Sequence, residues 1–162
     1  MGAVSLQNLS SFTLLESPTK VKNLAENAKK KGYSAIALTD INITYGLVDF
    51  YKAAKDTGIK PLLGMQLRIN GLIDEANKYD LIVIAKDDQG YKNILRLSSA
   101  VNLLTENGEK ENVLTFEDLK KYLGHLILIT PSNLHSELKM LQTNNPKMGA
   151  NYLRKLQDSL PS

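Results

Sequence analysis

Cysteine is absent from the 162 residues, histidine occurs only twice, and aromatic residues make up 6%. Without a thiol there is no thiolate nucleophile, cysteine zinc site, iron–sulfur cluster or disulfide framework, and a reducing, cytoplasmic setting fits. No apolar run approaches the ~20 residues of a membrane-spanning helix, and no basic segment followed by an apolar stretch opens the chain. The expectation is therefore a soluble protein that is not exported and has no membrane partner. Gly2 invites N-myristoylation, but Leu6 stands where that signal wants Ser or Thr. Strong charge of one sign is lacking as well. The net charge is +3, shared between +2 in residues 1–81 (ten basic against eight acidic) and +1 in residues 82–162 (ten against nine). The longest like-charge run, Lys29-Lys30-Lys31, reads as a solvated helix end. Charge alone thus argues against a nucleic-acid surface, although a pI near 9.0 permits weak attraction to polyanions.

What is present is an ordinary globular composition, 43% hydrophobic and 23% charged, of about one domain's length. A chain of this size buries enough surface to fold without a staple. Short apolar runs at Val4–Gln7, Ser34–Leu38, Pro61–Leu67, Leu81–Ala85 and Leu126–Ile129 read as strands. Between them lie amphipathic stretches. Ser17 and Pro18 suit a first helix start, with Val21, Leu24, Ala25 and Ala28 on one stripe and Gly32 as its stop. A second helix runs from about Tyr45 through Val48, Tyr51 and Ala54 or Lys55 to Gly58, and a third carries Tyr91, Ile94, Leu95, Ser98 and Val101 behind a cap at Asp87 or Asp88. A polar loop is expected over Thr105–Asn112, then a short helix opened by Thr115 with Asp118 at capping-box spacing. Beyond Pro131-Ser132 come a helix with Leu134, Leu138 and Leu141 and, after Asn144-Asn145-Pro146, a last one with Tyr152, Leu153 and Leu156. Strands buried on both faces and alternating with helices predict an α/β fold built on one parallel βα-repeat sheet, either open or part of a barrel.

Functional residues of such folds gather at the carboxyl ends of the strands. There the sequence offers little chemistry. No Gly-rich phosphate loop occurs, and Gly64 and Gly71 stand alone without a motif. His125 is expected to begin a strand and His135 to lie in a helix, so they do not form a metal pair. Ser10-Ser11 has neither a histidine partner nor a nucleophile-elbow context, which favours loop capping over catalysis. Asp40 closes a buried strand on the working edge and serves equally well as a site carboxylate or as a capping residue.

Three segments carry a family resemblance. Leu6-Gln7-Asn8-Leu9-Ser10-Ser11-Phe12-Thr13-Leu14-Leu15-Glu16 resembles the L-H-V-H-S-E-Y-S-L-L-D opening of the PHP (polymerase and histidinol phosphatase) domain of bacterial DNA polymerase III alpha subunits, the shorter Gram-positive type in particular. Ala37-Leu38-Thr39-Asp40-Ile41-Asn42-Ile43-Thr44-Tyr45-Gly46, followed by Phe50 to Lys55 and Gly58 to Gly64, is similar to that family's A-L-T-D-H-x-N-x-x-G, F-Y-K-A-A and G-I-K-P-I-I-G-x-E. Leu81 to Lys86 with Gly90-Tyr91-Lys92-Asn93-Ile94 is similar to a family strand and its N-E-x-G-Y-x-N-L helix. Order and spacing agree through about residue 100, and residues 101–162 match more weakly.

The resemblance implies part of a distorted (β/α)7 barrel, the N-terminal domain of a replicative DNA-directed DNA polymerase that acts in DNA replication. Active members hold up to three metal ions with histidines and carboxylates and hydrolyse phosphoesters. Here the two histidines of H-x-H fall on Gln7 and Leu9, the histidine of T-D-H on Ile41, and the glutamate of G-x-E on Gln66, while Glu16, Asp40 and Asp80 stay acidic. Aliphatic side chains cannot ligate a metal, and neutral amides replace imidazole or carboxylate poorly. The implied site is a vestigial pocket of Gln7, Leu9, Glu16, Asp40, Ile41, Gln66 and Asp80, with no catalytic residue, no metal and no cofactor; magnesium belongs to the parent polymerase. The family barrel requires about a hundred further residues. The chain therefore reads as a single incomplete PHP domain over 1–162, without the polymerase's palm aspartates. Its implied partners are the rest of the polymerase chain and, through it, replisome proteins and DNA. A residual phosphoesterase and a replisome interaction module are the alternatives.

Overall fold

The computed structural model describes residues 2–103 and 114–160. The loop expected over Thr105–Asn112 lies outside them. Five strands pair in chain order into one sheet: β1 (Ala3–Ser5), β2 (Tyr33–Leu38), β3 (Lys60–Asn70), β4 (Lys78–Ala85) and β5 (Leu126–Ile129). The expected α/β class and all five strands are present.

The expected single parallel sheet is only half right. β1, β2 and β3 are parallel, joined through α1 (Val21–Lys30) and α2 (Leu47–Thr57), whereas β4 is antiparallel to both β3 and β5. Parallel neighbours need a crossover of a dozen or more residues, and only Gly71–Asn77 separates β3 from β4. A hairpin is the one connection that length allows. β3 also runs three residues past its expected end, so the ladder extends to Asn70 opposite Lys78.

Along β3 and β4 successive side chains alternate between faces. Met65, Leu67, Ile69, Leu81 and Val83 point into the main core. There they meet Ala25 and Ala28 of α1, Leu47, Phe50 and Ala54 of α2, and Ile94, Leu97 and Val101 of α3 (Asp88–Leu103). The opposite face is apolar at one end, where Ala37, Ile82 and Ile84 pack with Leu62 and Ile129. By the same alternation its other end presents Gln66, Arg68 and Asp80.

Several helix ends follow the expectations. Gly32 and Gly58 take left-handed φ of 78° and 70° after α1 and α2, and Thr115 Oγ1 accepts from the Asp118 amide at the start of α4 (Phe116–Lys120). Asp87 caps α3 by accepting from the Gly90 amide. Other starts differ. α1 begins at Val21 with no side-chain cap, because the Ser17 hydroxyl is spent on the Leu9 carbonyl and the Thr19 amide. α2 buries Leu47, Phe50 and Ala54, leaving Val48 and Tyr51 exposed. Ser136 caps α5 (Glu137–Asn144), which puts Leu134 and His135 in an exposed turn; α6 (Pro146–Asp158) then buries Tyr152 and Leu156 but not Leu153. No helix among the described residues is long and apolar enough to cross a membrane.

Candidate functional site

The implied pocket lies where the loop after β1, the end of β2 and the polar end of the β3–β4 hairpin meet. Two buried aspartates occupy it, and they face different partners. Asp40 follows β2 and is 2% exposed. Its Oδ1 accepts from the Ser10 amide at 2.6 Å and the Thr13 hydroxyl at 2.8 Å, and its Oδ2 accepts from the Ser10 hydroxyl at 2.6 Å. Asp40 thus folds the 10–13 loop over the strand end. The capping role weighed for it is the one the geometry displays, and Ser10 spends its hydroxyl there instead of presenting a nucleophile.

Asp80 sits on β4 directly opposite Arg68 in the antiparallel register, and Gln66 lies one same-face position along β3. Arg68 donates through Nε to Oδ1 at 3.0 Å and through Nη2 to Oδ2 at 3.3 Å, while Gln66 Nε2 donates to Oδ2 at 2.9 Å. Gln7 Nε2 in turn donates to Gln66 Oε1 at 2.9 Å. The Asp80 side chain is 1% exposed and that of Arg68 36%. Hydrogen bonding to Asp80 raises the Arg68 pKa above its ordinary value against some desolvation, and the Asp80 and Glu16 charges add to the rise.

The backbone fixes this arrangement. Asn42 N–H donates to the Gln66 carbonyl and Gln66 N–H to the Asp40 carbonyl, which pairs Ile41 with Gln66 as an extension of the β2–β3 ladder. Asn42, at a left-handed φ of 59° that asparagine tolerates, also accepts the Arg68 amide on its Oδ1. A third buried carboxylate braces the far end of the hairpin: Glu137 accepts from the backbone amides of Leu72, Ile73 and Asp74 at 2.7–2.9 Å. Gly71 has the job there that its lack of a motif concealed, since a Cβ at that position would collide with the Asp74 carbonyl oxygen and meet Glu137 Oε1 at 2.7 Å.

Of the implied pocket residues, Gln7, Gln66 and Asp80 join one hydrogen-bonded run and Ile41 flanks it. Asp40 faces away from the run, Glu16 is exposed, and the Leu9 carbonyl serves Ser17. Among the described residues no three His, Cys, Asp or Glu side chains gather as a metal ion would need. His125 does not join them: at φ 63° in the turn before β5, it pairs on the surface with Asp87 at 2.7 Å, and His135 reaches the site only through its carbonyl, which accepts the Asp80 amide. A cleft of about 660 Å³ lies at the apolar end of the sheet instead, lined by Leu6, Leu62, Ile84, Ile127 and Ile129 with Asp87 at its rim, and contains none of Gln7, Gln66, Arg68 and Asp80. Reading the sequence missed Arg68. A basic residue two positions after Gln66 shares its face of a strand, but its partner is visible only once the hairpin register is known.

Comparison with known proteins identifies the family and the fold. Residues 5–162 match the PHP domain family. Curated relatives include the DNA polymerase III alpha subunits of Halalkalibacterium halodurans, 33% identical over 99% of this chain, and Bacillus subtilis, 36% identical over 81%. A further one, from Staphylococcus epidermidis, is 40% identical over 74%. The chain spans only 10–14% of the length of these relatives. Among solved structures, a protein described as a metal-dependent phosphoesterase from Bifidobacterium adolescentis shares the fold over 61% of this chain (TM-score 0.50, 19% identity), covering 32% of its own. An amidohydrolase from Chromobacterium violaceum does so at a TM-score of 0.51 and 17% identity.

Proposed function

The chain belongs to the PHP domain family, and from that premise we propose that it is the PHP module of a replicative DNA polymerase III alpha subunit, supporting the polymerase body without phosphoester hydrolysis of its own. The family's metals do not suit the residues present. One observation carries this reading: the two buried carboxylates are each consumed by protein donors, Asp40 by Ser10 and Thr13, Asp80 by Arg68 and Gln66. A hydrolytic metal centre requires carboxylate or imidazole groups that converge with lone pairs to spare. Here the groups diverge. The module's partner is then the rest of the polymerase chain, in the cytoplasm, and magnesium-dependent nucleotidyl transfer and DNA contact belong to that body. Sequence relatives support this assignment, all three being named as alpha subunits.

The test is elemental analysis of the intact protein, equilibrated with zinc and manganese and desalted, together with phosphoesterase assays in the same ions. Near-zero metal and no turnover are expected. Stoichiometric metal that Asp40→Ala removes, accompanied by turnover, would replace this reading with a residual phosphoesterase.

A further inference from the structure

The misfit between the family's metals and these side chains extends to what occupies their place. We infer that Arg68 is the site's resident cation, its guanidinium balancing Asp80 from within the chain and locking β3 to β4 where the polar run ends. The inference rests on the metal-free reading above and adds to it the residue that makes a metal unnecessary.

Three observations converge. Asp80 is stripped of solvent, with its side chain 1% exposed, and a carboxylate so placed needs a compensating charge or a full set of donors. Arg68 supplies the charge through both arms of a rigid fork, at 3.0 and 3.3 Å, from the register position directly across the hairpin. The amides are then oriented by the carboxylate. Asp80 can only accept, so Gln66 must turn its nitrogen toward it, and the Gln66 oxygen, the atom of that amide able to ligate a metal, accepts from Gln7 at 2.9 Å. The bonds from Gln7 to Gln66 and from Gln66 to Asp80 thus run toward the negative charge, and Arg68 closes the run from the other side. Glu16 lies near enough for its charge to act on the same guanidinium. Both oxygens of Asp80 and the Gln66 oxygen already accept from within the chain, and among the described residues no three His, Cys, Asp or Glu side chains converge there to draw an ion.

The test is a double-mutant cycle in the intact protein with Arg68→Met, Asp80→Asn and both together, plus Arg68→Lys, reading thermal midpoint and metal content. Arg68→Met strands a buried carboxylate and should lower the midpoint by about 5 °C or more. Asp80→Asn should lower it less, because Arg68 is part-exposed and can turn to water. The double variant should recover to the level of Asp80→Asn alone, and Arg68→Lys, which keeps the charge and loses the fork, should fall between wild type and Arg68→Met. Should Arg68→Met fail to fold, a folded double variant establishes the same coupling. Additive losses, or an Arg68→Met midpoint within about 1 °C of wild type, would overturn the role of Arg68 while leaving the metal-free reading intact. Stoichiometric metal in the wild type would overturn both.

Discussion

Asp40 and Asp80 lie in one implied pocket, both almost fully buried, and are kept there by opposite means. Asp40 is held by neutral donors alone, two from Ser10 and one from Thr13, all contributed by a single loop. Asp80 is held by a guanidinium and an amide from the neighbouring strand. The first carboxylate therefore organises a loop locally, and the second clamps a long-range strand pair. A buried aspartate is thus not by itself a sign of chemistry: what matters is what its oxygens already hold, and on both aspartates each oxygen accepts from protein donors. Glu137 belongs with Asp40, since three backbone amides hold it without any cation.

A carboxylate given neither solution sets the outer bound of this comparison. Leu38→Asp would place one on the fully buried end of β2, with an expected loss of about 4 kcal/mol or more, enough to unfold a marginal domain. Circular dichroism of the variant checks this, and native-like stability there would break the whole argument about buried charge. Next, the two aspartates should respond unequally to loss of charge. Asp40→Asn keeps an oxygen for the Ser10 amide and the Thr13 hydroxyl but loses the charge that strengthens all three bonds and forces the Ser10 hydroxyl to turn and accept, so it should cost about 2 kcal/mol, against about 1 kcal/mol for Asp80→Asn. Chemical denaturation of the pair decides it, and equal losses would erase the distinction between the two modes. Glu137→Gln should then cost about 2 kcal/mol, since one of its two oxygens becomes a donor facing a backbone amide. Faster hydrogen exchange at Leu72, Ile73 and Asp74 is the expected readout.

The smallest effect is expected at the exposed pair. The Gly90 amide first, and then His125, holds the Asp87 carboxyl below its ordinary value. A carboxylate depressed in the folded state adds stability above its unfolded pKa of about 3.9 and loses it as pH falls through the lower folded value. Denaturation midpoints between pH 5 and 2 should therefore fall slightly less steeply for Asp87→Asn than for wild type. An identical slope would show that solvent screening cancels the pair.

Much of the chain's local structure was legible because it depends on neighbours in sequence. Absent cysteine excluded thiol chemistry, apolar runs marked five strands, Gly32 and Gly58 ended helices because few other residues accept a positive φ, and the Thr115–Asp118 spacing located α4. The candidate positions Gln7, Ile41, Gln66 and Asp80 were legible too, through resemblance, and they do come together. Their partners were not. A period of two tells which residues share a face of a strand and is silent on which strand lies alongside and in what direction. Only the short 71–77 connection, folded as a hairpin, sets Arg68 across from Asp80, and only the path of the loop after β1 delivers Ser10 and Thr13 to Asp40 across some thirty residues. Side-chain identity and spacing are local properties, so the sequence alone determined the elements and the missing ligands. Which charge neutralises which is a property of packing, and the tertiary structure alone decided it.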